Sequence, residues 1–202
     1  MEDVEGFILV GGASSRMGSD KAQLRLGGRT FVELAAGALG GVTGVVRVVG
    51  SRAGAAGHGL AVVRDVYENL GALGGLHAAL AASAARWAAV LSCDLPFVTA
   101  ELLARLASFR GEGFDAVAPL QEDGRPQPLC ALYAAARCRA SAEALIGDGE
   151  RRPRVLLERV RTRWVAFDEL ADLPGSADFF RNVNAPPDYE EARRLWPAET
   201  AP

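Results

Sequence analysis

The sequence predicts an α/β fold, built on a doubly wound, mostly parallel β-sheet with helices on both faces. Three observations lead to this prediction. Short, nearly continuous apolar runs recur along the chain, segments of helical length alternate with them, and half of the 202 residues are hydrophobic. Strands that are apolar throughout are typical of a parallel sheet covered on both faces, and their alternation with helices indicates βαβ units. A chain of this length fits one domain, so we expect a single domain spanning 1–202.

The first half of the chain supplies most of the predicted parallel strands. They are expected at Gly6–Val10, VVRVVG (45–50), Leu60–Asp65 and Trp87–Asp94. Helices are predicted over Phe31–Leu39 and in the alanine-rich segment GGLHAALAASAA. Thr99 is a candidate N-cap for the helix TAELLARLASF, because a threonine hydroxyl can accept a hydrogen bond from the free amides of a first turn.

The second half of the chain adds further elements of both kinds. FDAVAPL and PLCALY are predicted strands, whereas PRVLLERV and PDYEEARRLW are predicted helices. TRWVAFDEL predicts a late strand, with antiparallel pairing as an open alternative. The chain contains no internal repeat and no low-complexity linker that would divide it.

Composition argues against several classes of partner and location. The formal net charge is -3 and there is no basic run, so we expect no nucleic-acid partner. The chain begins acidic, unlike a secretory signal, and no apolar run approaches the ~20 residues that cross a membrane. The three cysteines lack the CxxC spacing of metal sites and are expected to be reduced thiols. We therefore expect a cytoplasmic protein that does not bind a membrane.

The loop after the first predicted strand has the composition of a phosphate-binding loop. Gly11 and Gly12 permit a sharp turn and a close approach of backbone to ligand, because no Cβ intervenes. Arg16 and Lys21 add positive charge. Lys21 is the only lysine among 22 basic residues, and a compact ammonium suits a position between phosphate oxygens. The loop matches neither GxGxxG nor GxxxxGK[ST], so a simple tight βα turn stays open as an alternative.

Two predicted strands end on an aspartate, Asp65 and Asp94, which delivers a carboxylate to the rim of the sheet. Pro96 then interrupts the strand ladder after Asp94. Mg²⁺ prefers oxygen ligands, usually one or two carboxylates together with phosphates and water. We therefore expect Mg²⁺ as the cofactor and Asp94 as its ligand, with a turn or cap aspartate as the alternative. Gly74 and Gly75 would let a flat base lie against the backbone, although a plain turn explains them equally well.

Beyond these patterns, the sequence resembles the nucleotidyltransferases and specifically the molybdenum cofactor guanylyltransferase family. The resemblance is carried by LVGGASSRMGSDKAQLRLGG, RDVYENLGALGGLHAAL, LSCDLP, PLCALY and RNVNAPPDYEEA, which together span nearly the whole chain. The Asp20-Lys21 pair is the most specific feature, since sugar-1-phosphate nucleotidyltransferases usually place a proline before that lysine. The resemblance implies a Rossmann-like nucleotidyltransferase fold and makes 1–202 a single nucleotidyltransferase domain. Ala72 and Ala185 depart from the family, which usually has proline and threonine there.

The resemblance also implies roles for individual residues. Those implied to contact the nucleotide are Leu9, Val10 and Gly11 through the backbone, Gly12, Arg16 and Lys21 at the phosphates, and Asp65 and Asp94. Lys21, Arg16 and Asp94 are expected to be catalytic, and Asp94 to hold Mg²⁺. Asn182 and Asn184 are implied to lie near a pterin substrate, and in an extended segment their side chains would share one face.

The reaction that the resemblance implies is transfer of GMP from GTP to the terminal phosphate of Mo-molybdopterin, with release of pyrophosphate. GTP and Mo-molybdopterin are thus the expected partners, together with cofactor-accepting molybdoenzymes and their chaperones. Three alternatives stay open: a cytidylyltransferase that uses CTP, a transferase acting on a sugar or polyol phosphate, and a non-catalytic carrier. Thermal stabilisation by GTP against CTP would separate the first alternative, and pyrophosphate release the last.

Overall fold

The computed structural model describes residues 3–10, 21–50, 59–64, 67 and 70–196. Nine strands occur in these ranges: β1 Val4–Leu9, β2 Arg25–Leu26, β3 Arg29–Thr30, β4 Val46–Val49, β5 Ala61–Val63, β6 Trp87–Ser92, β7 Ala116–Pro119, β8 Cys130–Ala134 and β9 Thr162–Val165. The same ranges contain six α-helices: α1 Phe31–Leu39, α2 Gly71–Ala82, α3 Ala100–Ser108, α4 Ala135–Gly147, α5 Pro153–Arg159 and α6 Pro186–Leu195. Among the described residues, no helix has the length and apolar character needed to cross a membrane.

Seven of the strands form one sheet in the order β5-β4-β1-β6-β8-β7-β9, and β2 and β3 form a separate small hairpin. β1 pairs in parallel with β4 on one side and with β6 on the other. The chain therefore runs outward from β1 to β4 and β5, then crosses back to β6. Ligands of open α/β sheets bind outside the carboxyl ends of the strands at such a reversal of strand order.

β8 is the one antiparallel strand of the seven-stranded sheet. It runs against β6 and against β7, and β7 pairs in parallel with β9. The strands β6, β7 and β9 consequently end at the same edge of the sheet. The mostly parallel, doubly wound sheet is confirmed. The antiparallel alternative for TRWVAFDEL is wrong, because this strand pairs in parallel with β7.

Helices cover both faces of the sheet, and alternating strand residues divide the core accordingly. Ile8 packs on the face that holds α1 and α3, whereas Phe7 and Leu9 pack on the face that holds α2, α4 and α5. Every residue of β1 and β6 is buried. This accounts for the nearly continuous apolar runs in the sequence, since both neighbouring layers are hydrophobic.

Local signals in the sequence fix several of the helix ends. The Thr99 hydroxyl accepts from the backbone N–H of Leu102 at 3.3 Å, so its predicted N-cap role is confirmed. Thr30 and Glu33 form a reciprocal capping box at the start of α1. α2 begins one turn before the predicted segment and ends at Ala82.

The three cysteines are free thiols in the interior, as their spacing predicts. Burial raises the pKa of Cys130 to about 12 and that of Cys138 to about 12. Thiols with such pKa values are protonated near neutral pH and are poor nucleophiles. The structure therefore gives Cys130 and Cys138 a packing role.

Candidate active site

The carboxyl ends of β1 and β6 lie side by side at the reversal of strand order. The Cys93 N–H donates to the Leu9 carbonyl at 3.1 Å, and the Val10 N–H donates to the Val49 carbonyl at 2.9 Å. The side chains of Leu9 and Val10 are buried in the core. The nucleotide contacts that the resemblance implies for Leu9 and Val10 stay predictions.

Lys21 enters this edge from a short 3₁₀ turn formed by Lys21–Gln23. The turn is anchored by Ala22, which is buried in the core cluster below α1. The Lys21 ammonium donates a hydrogen bond from Nζ to Oδ1 of Asn184 at 2.8 Å, across 163 positions of sequence. The sole lysine of the chain is therefore in contact with one of the two asparagines singled out from the sequence.

The Asn182–Asn184 segment also contacts the turn that follows β6. The Val183 side chain is fully buried, whereas Asn182 and Asn184 on either side of it are exposed. The Val183 N–H donates to the carbonyl oxygen of Asp94 at 2.9 Å. A buried residue between two exposed ones is the pattern of a chain with period-two alternation, so the burial pattern supports the predicted shared face of the asparagines.

Asp188 holds the segment from the other side. Its Oδ2 accepts from the backbone N–H groups of Asn184 and Ala185, each at 2.8 Å. Ala185 is the N-cap of α6 and makes no side-chain capping hydrogen bond. Asp188 is the N3 residue of α6, and its carboxylate accepts from the backbone just before the helix, as the acidic half of a capping box does. The predicted place of Pro186 in the first helical turn is confirmed.

Asp94 lies in the turn just after β6 and is half-buried. Among the residues that the structure describes, no hydrogen-bond or ion-pair partner of its carboxylate is found, and no group of three or more histidine, cysteine or acidic side chains forms a metal cluster. A carboxylate without a described protein partner fits Mg²⁺ held mainly by substrate phosphates and water. It does not fit zinc, which needs three or four protein ligands.

Gly74 and Gly75 lie inside α2 and are buried. A Cβ on Gly74 would come within 3.1 Å of the Leu70 Cβ and 3.3 Å of the Tyr67 carbonyl oxygen. Gly74 therefore has a packing role beneath the chain that leads into α2. Contact of these two glycines with a base stays a prediction.

Four of the predicted site residues, Gly11, Gly12, Arg16 and Asp65, lie outside the described residues, and their roles stay predictions. The structure brings the others at the sheet edge together: Lys21 contacts Asn184, and the segment between the asparagines contacts Asp94. Sequence reasoning missed Val183 and Asp188, which hold this arrangement. The spacing of Asp188, three residues after an N-cap, is a capping signal that could have identified it.

One carboxylate with a strongly lowered pKa, that of the buried Asp115, lies away from this edge. Hydrogen bonds from Arg161, and to a smaller extent from Arg137, lower the pKa of Asp115 to about 2 despite the cost of burial. Asp115 immediately precedes β7 and therefore sits at the opposite edge of the sheet from the strand ends. Its perturbed pKa reflects a structural ion-pair network and not the candidate active site.

Comparison with known proteins identifies the class of protein. The family model of the MobA-like NTP transferase domain matches residues 6–164. The chain belongs to this family and is a nucleotidyltransferase.

Individual relatives match nearly the whole chain in sequence or in structure. A probable molybdenum cofactor guanylyltransferase of Methanothermobacter thermautotrophicus is 36% identical over 191 residues, which cover 90% of this chain and 94% of that protein. The crystal structure of molybdopterin-guanine dinucleotide biosynthesis protein A from Archaeoglobus fulgidus superposes with a TM-score of 0.79 at 27% identity, covering 95% of this chain and 97% of that one. A 2-C-methyl-D-erythritol 4-phosphate cytidylyltransferase of Thermus thermophilus, 20% identical, shares the fold with a TM-score of 0.68 and covers 96% of this chain and 98% of that chain.

Proposed function

We propose that this protein transfers GMP from GTP to the terminal phosphate of Mo-molybdopterin, releasing pyrophosphate and forming the guanine dinucleotide form of the cofactor. The observation that carries the proposal is the convergence of Lys21, Asp94 and the Asn182–Asn184 segment at the end of β1 and β6. The names of the relatives support the acceptor, and the family supports the type of reaction.

The reaction needs little covalent chemistry from the protein. An oxygen of the acceptor phosphate attacks the α-phosphorus of GTP, a new P–O bond forms, and the bond from the α-phosphorus to the bridging oxygen breaks, so that pyrophosphate leaves with the electron pair. The nucleophile is already an anion, so no strong general base is required. Catalysis then consists of positioning the two phosphates and neutralising their charge, as in phosphoryl transfer generally.

Lys21 would supply part of that charge neutralisation. In the structure its ammonium is held by a neutral amide oxygen, and no carboxylate of the described residues forms an ion pair with it. An ammonium fixed in place before substrate arrives has little reorganisation left to undergo, which is the basis of electrostatic preorganisation. Arg16 would add a second positive charge on the same substrate phosphates.

Asp94 would hold Mg²⁺ through its carboxylate, which has no described protein partner. A Mg²⁺ ion held by Asp94 would supply positive charge that offsets the charge of the substrate phosphates. The Val183 N–H bond to the Asp94 carbonyl fixes the backbone of this residue, and thereby the direction from which its carboxylate approaches the substrate. Removal of one such contact typically costs about 10²–10³ in rate.

The choice of nucleotide can be tested by thermal unfolding in Mg²⁺. A ligand at a hundred times its Kd adds about 2.7 kcal/mol to the stability of the folded state. For a chain of this size that corresponds to a rise of roughly 5–10 °C in Tm. We expect this rise with GTP and a clearly smaller one with CTP. A larger rise in Tm with CTP would reject the proposed guanylyltransferase and favour a cytidylyltransferase.

A matched pair of variants tests the site itself. Lys21→Ala should abolish most of the pyrophosphate release that depends on GTP and Mo-molybdopterin, while Arg29→Ala, a variant of an exposed arginine in β3, should leave it unchanged. Near-normal release by Lys21→Ala at saturating substrates would reject the proposed role of the lysine. Absence of release by the unmodified protein would reject the proposed reaction.

A further inference from the structure

The hairpin of β2 and β3 begins two residues after the end of the turn that carries Lys21. Its strands are antiparallel, with Arg25 opposite Thr30, and the two-residue turn Gly27–Gly28 connects them. Both glycines have positive φ angles, 52° and 72°, as a type I′ turn requires at its two central positions. The hairpin is therefore a short ribbon of defined geometry, and whatever fixes this ribbon also restricts the position of the lysine.

Backbone hydrogen bonds join the lysine turn to the hairpin and leave one hairpin carbonyl pointing outward. The Leu24 N–H donates to the Lys21 carbonyl at 3.1 Å, and the Phe31 N–H donates to the Leu24 carbonyl at 2.9 Å. Leu24 and Phe31 thus occupy a hydrogen-bonded position of the antiparallel ladder, so the neighbouring pair, Arg25 and Thr30, occupies a non-hydrogen-bonded one. In such a pair the backbone groups point away from the partner strand, and the Arg25 carbonyl is available to another element.

Tyr189 of α6 contacts this outward carbonyl. Its hydroxyl donates to the carbonyl oxygen of Arg25 at 2.8 Å, and its ring packs edge-on against Phe31, with centroids 6.2 Å apart. At the other end of the helix, Trp196 lies against the hairpin turn, where a Cβ on Gly27 would overlap the indole nitrogen. Helix α6 therefore holds the ribbon at two places, one on β2 and one at the turn.

The same turn of α6 also holds the partner of the lysine. The Asp188 carboxylate accepts from the backbone N–H of Asn184 at 2.8 Å, and the next residue is Tyr189. Two adjacent helix residues thus fix the backbone on both sides of the hydrogen bond between Lys21 and Asn184. A lysine ammonium sits on a flexible four-carbon stem, so one exposed hydrogen bond holds it well only if the two backbones that it joins keep their separation.

We infer that Tyr189 is a positioning residue for Lys21. Its hydroxyl fixes the ribbon that follows the lysine, and thereby keeps the ammonium within reach of the Asn184 amide oxygen. The consequence for the reaction rests on the proposed function, in which this ammonium neutralises charge on the substrate phosphates. Small displacements of a positioned group lower a reaction rate steeply, so a hydroxyl on α6 affects turnover without touching the substrate.

The position of the ammonium can be measured without any substrate. Lys21 is the only lysine of the chain, so growth on ¹³C-labelled lysine labels a single side chain. The NMR order parameter of its ε-methylene group reports how firmly the ammonium is held. Tyr189→Phe removes the hydroxyl and keeps the ring, and Asn184→Ala gives the value for a lysine without the contact. Thr162→Val is the matched control, because it removes a hydroxyl that donates to the Leu157 carbonyl at 2.6 Å, at the opposite edge of the sheet.

The order parameter should be highest in the unmodified protein and lower in Asn184→Ala. Tyr189→Phe should lose at least half of that difference, whereas Thr162→Val should keep the unmodified value. A smaller loss in Tyr189→Phe would overturn the inference. So would an equal loss in Thr162→Val, which would indicate general loosening, or equal values in the unmodified protein and Asn184→Ala.

Pyrophosphate release with GTP, Mg²⁺ and Mo-molybdopterin tests the link to the reaction. Tyr189→Phe should lower kcat about three- to tenfold and leave the KM for GTP within about twofold, as expected for one hydrogen bond that acts on the rate. In the Lys21→Met background it should cause no further loss, and Thr162→Val should change neither constant. An unchanged kcat in Tyr189→Phe, or the same loss in the Lys21→Met background, would overturn the positioning role.

The two measurements separate this inference from the proposed function. If the order parameter depends on Tyr189 but the unmodified protein transfers no GMP, the proposed function falls and the positioning of Lys21 by Tyr189 stands. If GMP transfer occurs while neither the order parameter nor kcat responds to Tyr189→Phe, the inference falls alone.

Discussion

The contact between Lys21 and Asn184 makes a prediction that a double-mutant cycle can test. Loss of the ammonium in Lys21→Met should lower the rate of pyrophosphate release about 10²–10³-fold, equivalent to about 3–4 kcal/mol. A hydrogen bond to a charged group contributes about 1.5–3 kcal/mol, and solvent exposure places this one at the lower end. Asn184→Ala should therefore cost about 1.4 kcal/mol, or tenfold.

The rate losses caused by Lys21→Met and by Asn184→Ala should not add. If Asn184 acts by holding the ammonium, the double variant should be no slower than Lys21→Met, and the coupling energy should be about 1–1.5 kcal/mol. Asn182→Ala is the matched control, because it removes the same side chain from the same segment without a described contact to Lys21. Its effect should add to that of Lys21→Met. Full additivity for Asn184→Ala would refute the positioning role of the 2.8 Å contact.

Other predictions concern the metal site, the pH dependence and the packing. Asp94→Asn should reduce turnover at least about 10²-fold, and it should reduce the part of the GTP-induced rise in Tm that depends on Mg²⁺. If that part is unchanged, Asp94 is not a ligand of Mg²⁺. The lowered pKa of Asp115, about 2, means that its carboxylate stabilises the folded state above the unfolded pKa near 4 and loses that contribution as the pH falls toward 2. Asp115→Asn should accordingly lower the free energy of unfolding by about 1–2 kcal/mol at pH 7, as measured by urea denaturation, and this loss should vanish near pH 2. A loss that does not depend on pH would contradict the ion-pair explanation. A Cβ at Gly41 would lie 2.6 Å from the Cβ of Ala100, so Gly41→Ala should destabilise the protein by about 1–3 kcal/mol. Gly44 has open space around it, so Gly44→Ala should change the stability little. Equal Tm values for the two variants would argue against the packing between α1 and α3.

Sequence reasoning predicted the layered sheet because its strongest signals are local. The apolar run of β1 and the boundaries of α1 follow from residues within a few positions of each element. Helix α4 was missed although its buried residues Ala135, Cys138, Ala142 and Leu145 recur at spacings of a helix face. Arginines between these residues masked the pattern, because three of the four buried side chains are small.

The candidate site was predictable in its chemistry but not in its contacts. Residue type and position at a strand end singled out Lys21 and Asp94. The hydrogen bond that joins Lys21 to Asn184 spans 163 positions and depends on how α6 packs beside the hairpin, which no local pattern encodes. Likewise, a cavity lined by Gln121, Phe167 and Arg181 forms where the ends of β7 and β9 meet the chain before α6, so only the fold reveals it.

We propose that a nucleotidyl group is transferred to a phosphate acceptor at this edge of the sheet. The most direct measurement follows the α-phosphorus of GTP, radiolabelled at that position, in the presence of Mg²⁺ and Mo-molybdopterin. We expect the label to appear in the pterin product while unlabelled pyrophosphate is released, and we expect Lys21→Ala to lose this transfer. Label that stays in GTP, or that appears only as free GMP, would contradict it.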